Sequence, residues 1–327
     1  MKTNAASSLC PLCGGTGHGA FEKNGYLHHQ CDRCASLYLE PVPSPEALAD
    51  FYRRSSADQN SRLCWEGGNQ HAHASWCRAL ATAAKLAGTG PLLDVGCGAG
   101  QFLAYARTLG WAELEGLEVA PDVAATARRV SGAAVQEATL ESASLVDDRY
   151  AVVSLWDVLE HLPEPAAALR RLARLVRPGG VLLLGVPHRH GITLRVFGSR
   201  SLIVMPPEHL FLPSRRGLRA ATDRAGLDTV RAETTDVRLR EWLDVGKRLG
   251  PRAPSAGPPS RGAAQVRADY LETYRRITAA GAFGLVQSVI NVLLRATGLG
   301  DQLTVVLRRP PTATPPAAAD RREASRR

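Results

Sequence analysis

The sequence predicts an α/β fold in which seven strands form a doubly wound, mostly parallel sheet, preceded by a small cysteine module. Three observations carry this prediction. Apolar segments of strand length alternate with amphipathic segments of helix length from residue 91 onward. A glycine-rich turn joins the first strand of this series to its first helix. Two Cys-x-x-Cys pairs precede the alternation.

The predicted strands follow one another along the chain at 91–95, 114–118, 133–136, 150–156, 181–186, 227–238 and 302–307. Residues 150–156 are almost continuously apolar, which is typical of a strand buried on both faces. Helices are predicted between the strands at 101–109, 121–130, 165–175 and 214–226, the last with the Ser214 hydroxyl as its N-cap. Helical patterns also occur at 46–54, 71–87, 266–279 and 283–297.

Four cysteines fall in two closely spaced pairs, Cys10 with Cys13 and Cys31 with Cys34. Such pairs, about 15–20 residues apart, can supply four thiolates to a tetrahedral zinc ion. We expect a structural zinc ion that stabilises a module too small to bury its own core. A ribbon that contacts nucleic acid is the alternative interpretation. His28 and His29 are not predicted as ligands, because four cysteines complete the coordination shell.

These elements divide the chain into four parts. We expect a zinc-ribbon module at 1–45, a helical linker or lid at 46–90, a main α/β domain at 91–310 and a disordered tail at 311–327. Within the main domain, residues 188–212 and 240–300 interrupt the alternation of strands and helices. We interpret them as inserts that shape a binding pocket, and their apolar character favours a partly hydrophobic ligand.

The net charge of +9 favours anionic partners, namely nucleic acid, phosphorylated molecules or a membrane surface, without selecting among them. Part of the excess lies in the four arginines at the end of the chain. The N-terminus has no apolar core of a signal peptide, and the most apolar stretch, 279–294, is interrupted by Gln287 and Asn291. We therefore expect a cytoplasmic protein without a transmembrane segment. The sequence predicts no oligomeric state.

Residues 92–102 read Leu-Leu-Asp-Val-Gly-Cys-Gly-Ala-Gly-Gln-Phe, a buried strand that enters a G-x-G-x-G turn. Glycine permits positive φ and close approach of the backbone to a ligand. The amides at the start of the following helix attract polar or anionic ligand atoms. The spacing differs from both the dinucleotide and the P-loop patterns. The turn therefore predicts a nucleotide-like ligand of another kind.

Two further segments supply polar groups at strand ends. Glu118 ends the second strand, where a carboxylate can accept both hydroxyls of a ribose. The fourth strand ends in Asp157-Val158-Leu159-Glu160-His161. Histidine titrates near neutral pH and can act as a general base, so His161, His188 and His209 are the catalytic candidates. A structural histidine held by backbone groups is the alternative for each of them.

These segments together resemble the bacterial zinc-ribbon-containing class I SAM-dependent methyltransferases, where SAM is S-adenosylmethionine. The run 157–165 is similar to their D-x-L-E-H-x-x-x-P segment, and Pro207-Glu208-His209-Leu210 is similar to a second segment common among them. The late strand at 302–307 resembles the antiparallel seventh strand of their Rossmann-like sheet. The resemblance extends from Cys10 to about residue 308.

The resemblance implies two cofactors, SAM and a structural Zn²⁺. It implies the metal ligands Cys10, Cys13, Cys31 and Cys34, and cofactor-binding roles for Asp94, Gly96, Cys97, Gly98, Gly100, Phe102, Glu118, Val119, Ala138, Trp156 and Asp157. The acidic residue that usually follows the third strand in this family is absent. The adenine contact is therefore expected from Glu137 or from the backbone around Ala138.

The expected function is methyl transfer from SAM to oxygen, or to nitrogen, of a small-molecule acceptor such as a sugar or a lipid-linked molecule. Oxygen is favoured because several histidines surround the predicted site. One alternative is an RNA methyltransferase in which the ribbon and the basic charge hold nucleic acid. No basic run is interleaved with aromatic residues, which argues against it. The other alternative is a non-catalytic binding protein with the same fold.

Overall fold

The computed structural model describes residues 9–44, 46–48, 51, 70–237, 242 and 281–311. The four-stranded sheet contains strands β1 (Gly17–Lys23), β2 (Tyr26–Cys31), β3 (Leu37–Leu39) and β9 (Phe211–Leu212), numbered in chain order. All neighbouring strands in it are antiparallel. This sheet forms the cysteine module that the sequence predicts at the N-terminus.

The larger sheet has seven strands: β4 (Leu92–Val95), β5 (Leu114–Leu117), β6 (Ala134–Gln136), β7 (Tyr150–Trp156), β8 (Val176–Pro187), β10 (Asp228–Thr235) and β11 (Gln302–Arg308). Their order is β10-β11-β8-β7-β4-β5-β6. Strands β4 to β8 pair in parallel, whereas β11 is antiparallel to both of its neighbours. The predicted seven-stranded, mostly parallel sheet is confirmed, including the late strand inserted beside β8.

Helices connect the strands of the larger sheet. They are α1 (Gln70–Ala87), α2 (Gln101–Thr108), α3 (Pro121–Ser131), α4 (Pro165–Leu175), α5 (Ile192–Phe197), α6 (Arg215–Arg224) and α7 (Gly281–Thr297). None of the described helices combines the length and the apolar run that a membrane crossing needs.

Apolar side chains cover both faces of the larger sheet. On one face, Leu80 of α1 and Leu103 of α2 belong to a single buried cluster with strand residues such as Val152. On the other face, Leu172 of α4 and Leu218 of α6 share a cluster with the four cysteines of the ribbon. Because α1 is buried against the sheet, this part of the predicted 46–90 linker belongs to the core.

The insert at 188–212 contains more regular structure than the sequence suggests. It includes α5 and ends in β9, which pairs with β3 through Leu37 opposite Leu212 and Tyr38 opposite Phe211. The sheet of the ribbon therefore takes one strand from beyond the predicted boundary at residue 45.

Strand β8 begins ahead of its predicted start at residue 181. Val176 already pairs with Tyr150, and an irregularity in register accommodates the turn that follows. The helix predicted at 266–279 lies outside the described residues, and the one predicted at 46–54 lies there in part.

Candidate functional site

The glycine turn leads from β4 into α2. Gly96, Gly98 and Gly100 adopt φ values of 70°, 53° and 82°, which side chains other than glycine rarely tolerate. A Cβ added to Gly100 would lie 2.9 Å from the Ala127 backbone in α3, so this glycine permits the two helices to pack. A Cβ added to Gly98 would meet nothing within 4 Å. The turn therefore presents its backbone to open space, where a ligand can approach closely.

Asp94 and Cys97 lie beneath this turn. The Asp94 side chain is only 2% exposed and accepts a hydrogen bond of 2.7 Å from the Ser154 hydroxyl in β7. Burial raises the Asp94 pKa to about 7, and the charge of Glu118 adds to this shift. Burial also raises the pKa of the Cys97 thiol, which keeps it protonated. The Cys97 amide donates to the Leu117 carbonyl at 2.8 Å, so this residue contributes its backbone to the turn.

Glu118 follows β5 and joins the turn to the neighbouring strand. Its Oε2 accepts from the Gly98 amide at 3.1 Å, and its Oε1 accepts from the Ala120 amide at 2.9 Å. Two backbone donors thus orient the carboxylate beside the open side of Gly98. Val119, the residue after Glu118, is 63% exposed. Ala138 lies just beyond the end of β6, the strand that adjoins β5. This arrangement can hold a ligand with vicinal hydroxyls beside an apolar ring.

Two of the predicted cofactor-binding residues lie in an aromatic cluster. Phe102 is 3% exposed, and the centroid of its ring lies 5.2 Å from that of Trp156 and 5.4 Å from that of Trp76 in α1. Within the described part of the chain, the indole nitrogen of Trp156 has no hydrogen-bond partner. The structure therefore places Phe102 in the core between α1 and α2, and its predicted contact with the cofactor stays untested.

Asp157 is exposed at the end of β7. Its φ of 54° is uncommon for a residue other than glycine, and its Oδ1 accepts from Gln302 Nε2 at 2.8 Å. Asp157 thus connects the end of β7 to the start of β11 at the edge of the sheet where Glu118 also lies.

Glu160, His161 and His209 form a compact group just beyond β7. One ligand atom from each lies within 4.8 Å of the others, and Glu160 is only 1% exposed. The Nδ1 atoms of His161 and His209 each lie 2.7 Å from a backbone carbonyl oxygen, of Glu208 and Ile203 respectively. A carbonyl only accepts, so Nδ1 carries the proton in both rings. Each Nε2 then bears the lone pair with which a neutral imidazole accepts a proton.

His188 stands apart from this group. It directly follows β8, is 2% exposed, and its Nδ1 lies 3.1 Å from the Gly300 carbonyl oxygen. Its ring centroid is 5.7 Å from that of His190. Burial is the main cause that lowers the His188 pKa to about 4, so the ring is neutral at physiological pH. The three predicted catalytic histidines thus divide between two locations.

The four predicted metal-binding cysteines converge in the ribbon. Their sulfur atoms all lie within 4.8 Å of one another, with 3.7 Å between Cys10 and Cys34 and 3.4 Å between Cys13 and Cys31. A tetrahedral ion with metal–sulfur distances of about 2.3 Å requires sulfur–sulfur distances of about 3.8 Å. The cluster is therefore compatible with a bound metal ion.

Sequence reasoning missed one member of the histidine group. Glu160 lies in the same segment as the predicted residue His161. Its position beside two imidazoles depends on residues 160 and 209 lying close together in the fold. The hydrogen bond from the Leu210 amide to the Glu160 carbonyl, at 2.9 Å, brings the two segments together. No periodicity in the sequence signals that contact.

Comparison with known proteins agrees with this geometry. The model of a family described as methyltransferase domain matches residues 69–232, which is half of the chain. A ubiquinone biosynthesis O-methyltransferase of Aeromonas salmonicida (strain A449) is 32% identical over 125 residues, covering 36% of this chain and 52% of that protein. Its counterpart in Xanthomonas campestris pv. campestris (strain B100) is 29% identical over 189 residues, covering 51% of this chain and 75% of that protein.

The chain spans about half the length of the first of these curated relatives. Among solved structures, a SAM-dependent methyltransferase from Thermotoga maritima superposes with a TM-score of 0.50 at 17% identity, covering 80% of this chain and 99% of that one. At this identity the likeness concerns the fold alone. The match of the family model over half of the chain shows that the protein belongs to the methyltransferase domain family.

Proposed function

We propose that the protein is a SAM-dependent methyltransferase that methylates an oxygen atom of a small-molecule acceptor. One observation carries the proposal, namely the hydrogen bond from the Gly98 amide to Glu118, which unites the glycine turn with a carboxylate on the next strand. Membership of the methyltransferase domain family supports the activity. The O-methyltransferase relatives support oxygen as the methylated atom.

The residues at the turn fit SAM. Gly98 borders open space, so the methionine part of SAM would lie against the backbone there. The Glu118 carboxylate would accept the two ribose hydroxyls, and Val119 and Ala138 would border the adenine. Asp94 lies beneath the turn and would support it indirectly, because its hydrogen bond with Ser154 holds β4 against β7. When bound, SAM supplies a methyl group. The methyl group bonds to the acceptor oxygen, and the electron pair of the broken carbon–sulfur bond stays on sulfur.

The chain itself has to orient the acceptor, exclude water and remove a proton from the acceptor hydroxyl. His161 is the proposed base, because its Nδ1 is held by the Glu208 carbonyl and its Nε2 can take the proton. Nε2 lies 3.9 Å from a carboxylate oxygen of Glu160, which would stabilise the charged imidazolium that forms. His209, with its ring centroid 5.0 Å from that of His161, would position that ring.

We also propose that Cys10, Cys13, Cys31 and Cys34 hold a zinc ion whose role is structural. The cluster is buried between the ribbon and α6, in the same apolar layer as Leu218. All four ligand positions of a tetrahedral ion would be filled by thiolates, which leaves no position for a substrate.

Titration of the full-length, metal-loaded protein with SAM in a calorimeter tests the proposal. We expect saturable binding to one site per chain. A panel of paired phenol and aniline acceptors, incubated with methyl-labelled SAM, then tests the methylated atom, and we expect label on the phenols. Absence of SAM binding by the folded protein would contradict the proposed activity. Label confined to the anilines would contradict oxygen as the acceptor atom.

A further inference from the structure

A pocket of about 550 Å³ lies where the ribbon meets the main domain, apart from the glycine turn and the Glu160 group. We call it the arginine pocket, because basic side chains from four segments line it: Arg33 of the ribbon, His188 and His190 after β8, Arg195 of α5, and Arg215 and Arg216 of α6. Its volume is within the range of small-molecule sites.

The four arginines give the pocket an excess of positive charge. All four are exposed, and no salt bridge joins them to a carboxylate within the part of the chain that the structure describes. Asp32 also lines the pocket, but its carboxylate lies 2.7 Å from His18 Nδ1. Several guanidinium groups around one concavity attract an oxyanion, and each can bind two of its oxygens at once.

The start of α6 adds donors to the same wall. Ser214 caps this ten-residue helix by accepting from the Gly217 amide at 2.9 Å. The amides of a first helical turn point away from the helix and carry partial positive charge, which favours an anion in front of them. Arg215 and Arg216 occupy the first two positions of the helix and line the pocket.

His188 supplies a second, independent indication of a ligand. Its ring is almost entirely buried, Nδ1 donates to the Gly300 carbonyl, and Nε2 has no hydrogen-bond partner among the described residues. Buried polar atoms in native proteins usually have a partner. Burial, and to a lesser extent His190, Arg215 and Arg195, lowers the pKa of this ring, so Nε2 keeps its lone pair and accepts from a donor. The pocket therefore suits a molecule with both an oxyanion and an O–H group.

The position of the pocket relates it to the proposed methyl donor. His188 follows the carboxyl end of β8, and the glycine turn follows the carboxyl end of β4. Only β7 separates these strands in the sheet, and its register places Val95, the last residue of β4, level with Leu184, three residues before the end of β8, so the two strand ends are about 14 Å apart. Both sites lie at one edge of the sheet, within the reach of one small molecule.

We propose that the arginine pocket binds the phosphate group of the methyl acceptor, so that the acceptor is a small phosphate ester with a hydroxyl group that donates to His188. This inference rests on the proposed function, because it names the substrate class of the same enzyme. It replaces the apolar acceptor that the composition of 188–212 suggests, since that insert contributes Arg195 and two histidines to the lining.

Calorimetric titration of the full-length, metal-loaded protein with pyrophosphate and with inorganic phosphate tests the inference. We expect saturable pyrophosphate binding that Arg195→Gln/Arg215→Gln weakens at least tenfold. The matched control, Arg170→Gln/Arg219→Gln, removes two exposed arginines of α4 and α6 outside the pocket and should change the affinity less than twofold. Loss of pyrophosphate binding in both double variants alike, or no binding by the wild-type protein, would overturn the inference.

A spectroscopic measurement reports on His188 without altering the fold. In protein labelled with ¹⁵N-histidine, pyrophosphate should shift the Nε2 resonance of His188 and leave that of His28, which is buried in the ribbon, unchanged. Equal shifts at both histidines, or none at His188, would contradict a ligand in this pocket.

Three further outcomes separate the possible failures. SAM binding is measured on the same preparations, so binding of SAM without pyrophosphate would refute the inference alone. Binding of pyrophosphate without SAM would refute the proposed function, and the pocket would then be an oxyanion site that serves no methyl acceptor. If the wild-type protein binds RNA through Arg195 and Arg215 but binds no pyrophosphate, the pocket serves nucleic acid and the small phosphate ester is wrong.

Discussion

The hydroxyl of Ser214 donates to the backbone carbonyl of Cys34 and thereby joins the first residue before α6 to the second cysteine pair. The Ser214 amide also donates to Ser36 Oγ at 3.0 Å, and the Ser36 hydroxyl lies 3.2 Å from the Cys34 sulfur. The cap of α6 therefore depends on the conformation of the loop that contains Cys34. A metal ion that fixes this loop also fixes the start of α6.

Removal of the metal should loosen α6 at its first turn. The Gly217 amide donates a hydrogen bond to Ser214 Oγ, and this cap contributes about 1 kcal/mol. In Cys34→Ser or in chelated protein, we therefore expect the Gly217 amide to exchange its proton about fivefold faster. Hydrogen exchange measured by mass spectrometry or NMR checks this. Cys77→Ser, at an exposed cysteine of α1, is the control. Unchanged protection of Gly217 after chelation would show that the cluster and the helix are independent.

Glu118→Gln should weaken SAM binding by about 2 kcal/mol, or about thirtyfold, because it removes the charge from a carboxylate proposed to accept two hydroxyls. Isothermal titration calorimetry measures the change. Glu113→Gln, at an exposed position before β5, removes the same charge away from the turn and should have no effect. A Glu118 variant that retains wild-type affinity would remove this residue from the cofactor site.

Asp94 should make the protein less stable as the pH rises. Its pKa is about 7 in the folded state against 3.8 as the reference value. Between these values the folded state holds a proton that the unfolded state has released, so the free energy of unfolding falls from about pH 4 to about pH 7. The burial of Asp94 accounts for about 4 kcal/mol of this change.

Asp94→Asn should remove that contribution while keeping an acceptor for Ser154. Urea denaturation at pH 5 and pH 8 measures it: we expect the variant to lose less stability than wild type between the two values. Asp228→Asn, at an exposed position at the start of β10, should behave as wild type. Equal losses in wild type and Asp94→Asn would mean that Asp94 is ionised across the whole range.

His161→Asn should lower the rate of methyl transfer to a hydroxyl acceptor about a hundredfold, because the proposed base is lost. SAM affinity should not change. The variant should regain activity as the pH approaches the pKa of the acceptor, a readout that a merely structural histidine would not produce. His29→Asn, at a histidine of β2 outside both the arginine pocket and the Glu160 group, is the control. A variant with reduced activity but an unchanged pH profile would assign His161 a positioning role.

Local patterns in the sequence predict the larger sheet well. Central strands such as β7 are almost continuously apolar, and turns such as Gly96 to Gly100 require glycine for local steric reasons, so both are visible without knowledge of the fold. The cysteine cluster is predicted for a similar reason, since ligand spacing within each pair is a local property.

Long-range contacts account for what the sequence does not predict. Strand β9 has only two residues, too few for any periodicity, and it exists because Phe211 and Leu212 pair with β3. His188 is held by the Gly300 carbonyl, which lies far along the chain. The burial of Phe102 depends on Trp76, which precedes it by a whole strand and turn. The arginine pocket likewise draws its lining from five segments of the chain.

The pairing of β3 with β9 sets the order in which the protein can be completed during synthesis. All four cysteines and strands β1 to β3 leave the ribosome before any strand of the larger sheet, so metal capture can precede that sheet. One edge of β3 nevertheless stays unpaired until Leu212 has been translated, which happens after β8. A nascent chain therefore carries an open strand edge while residues 40–212 are synthesised, and this ribbon transplanted to another protein without β9 would keep that edge permanently.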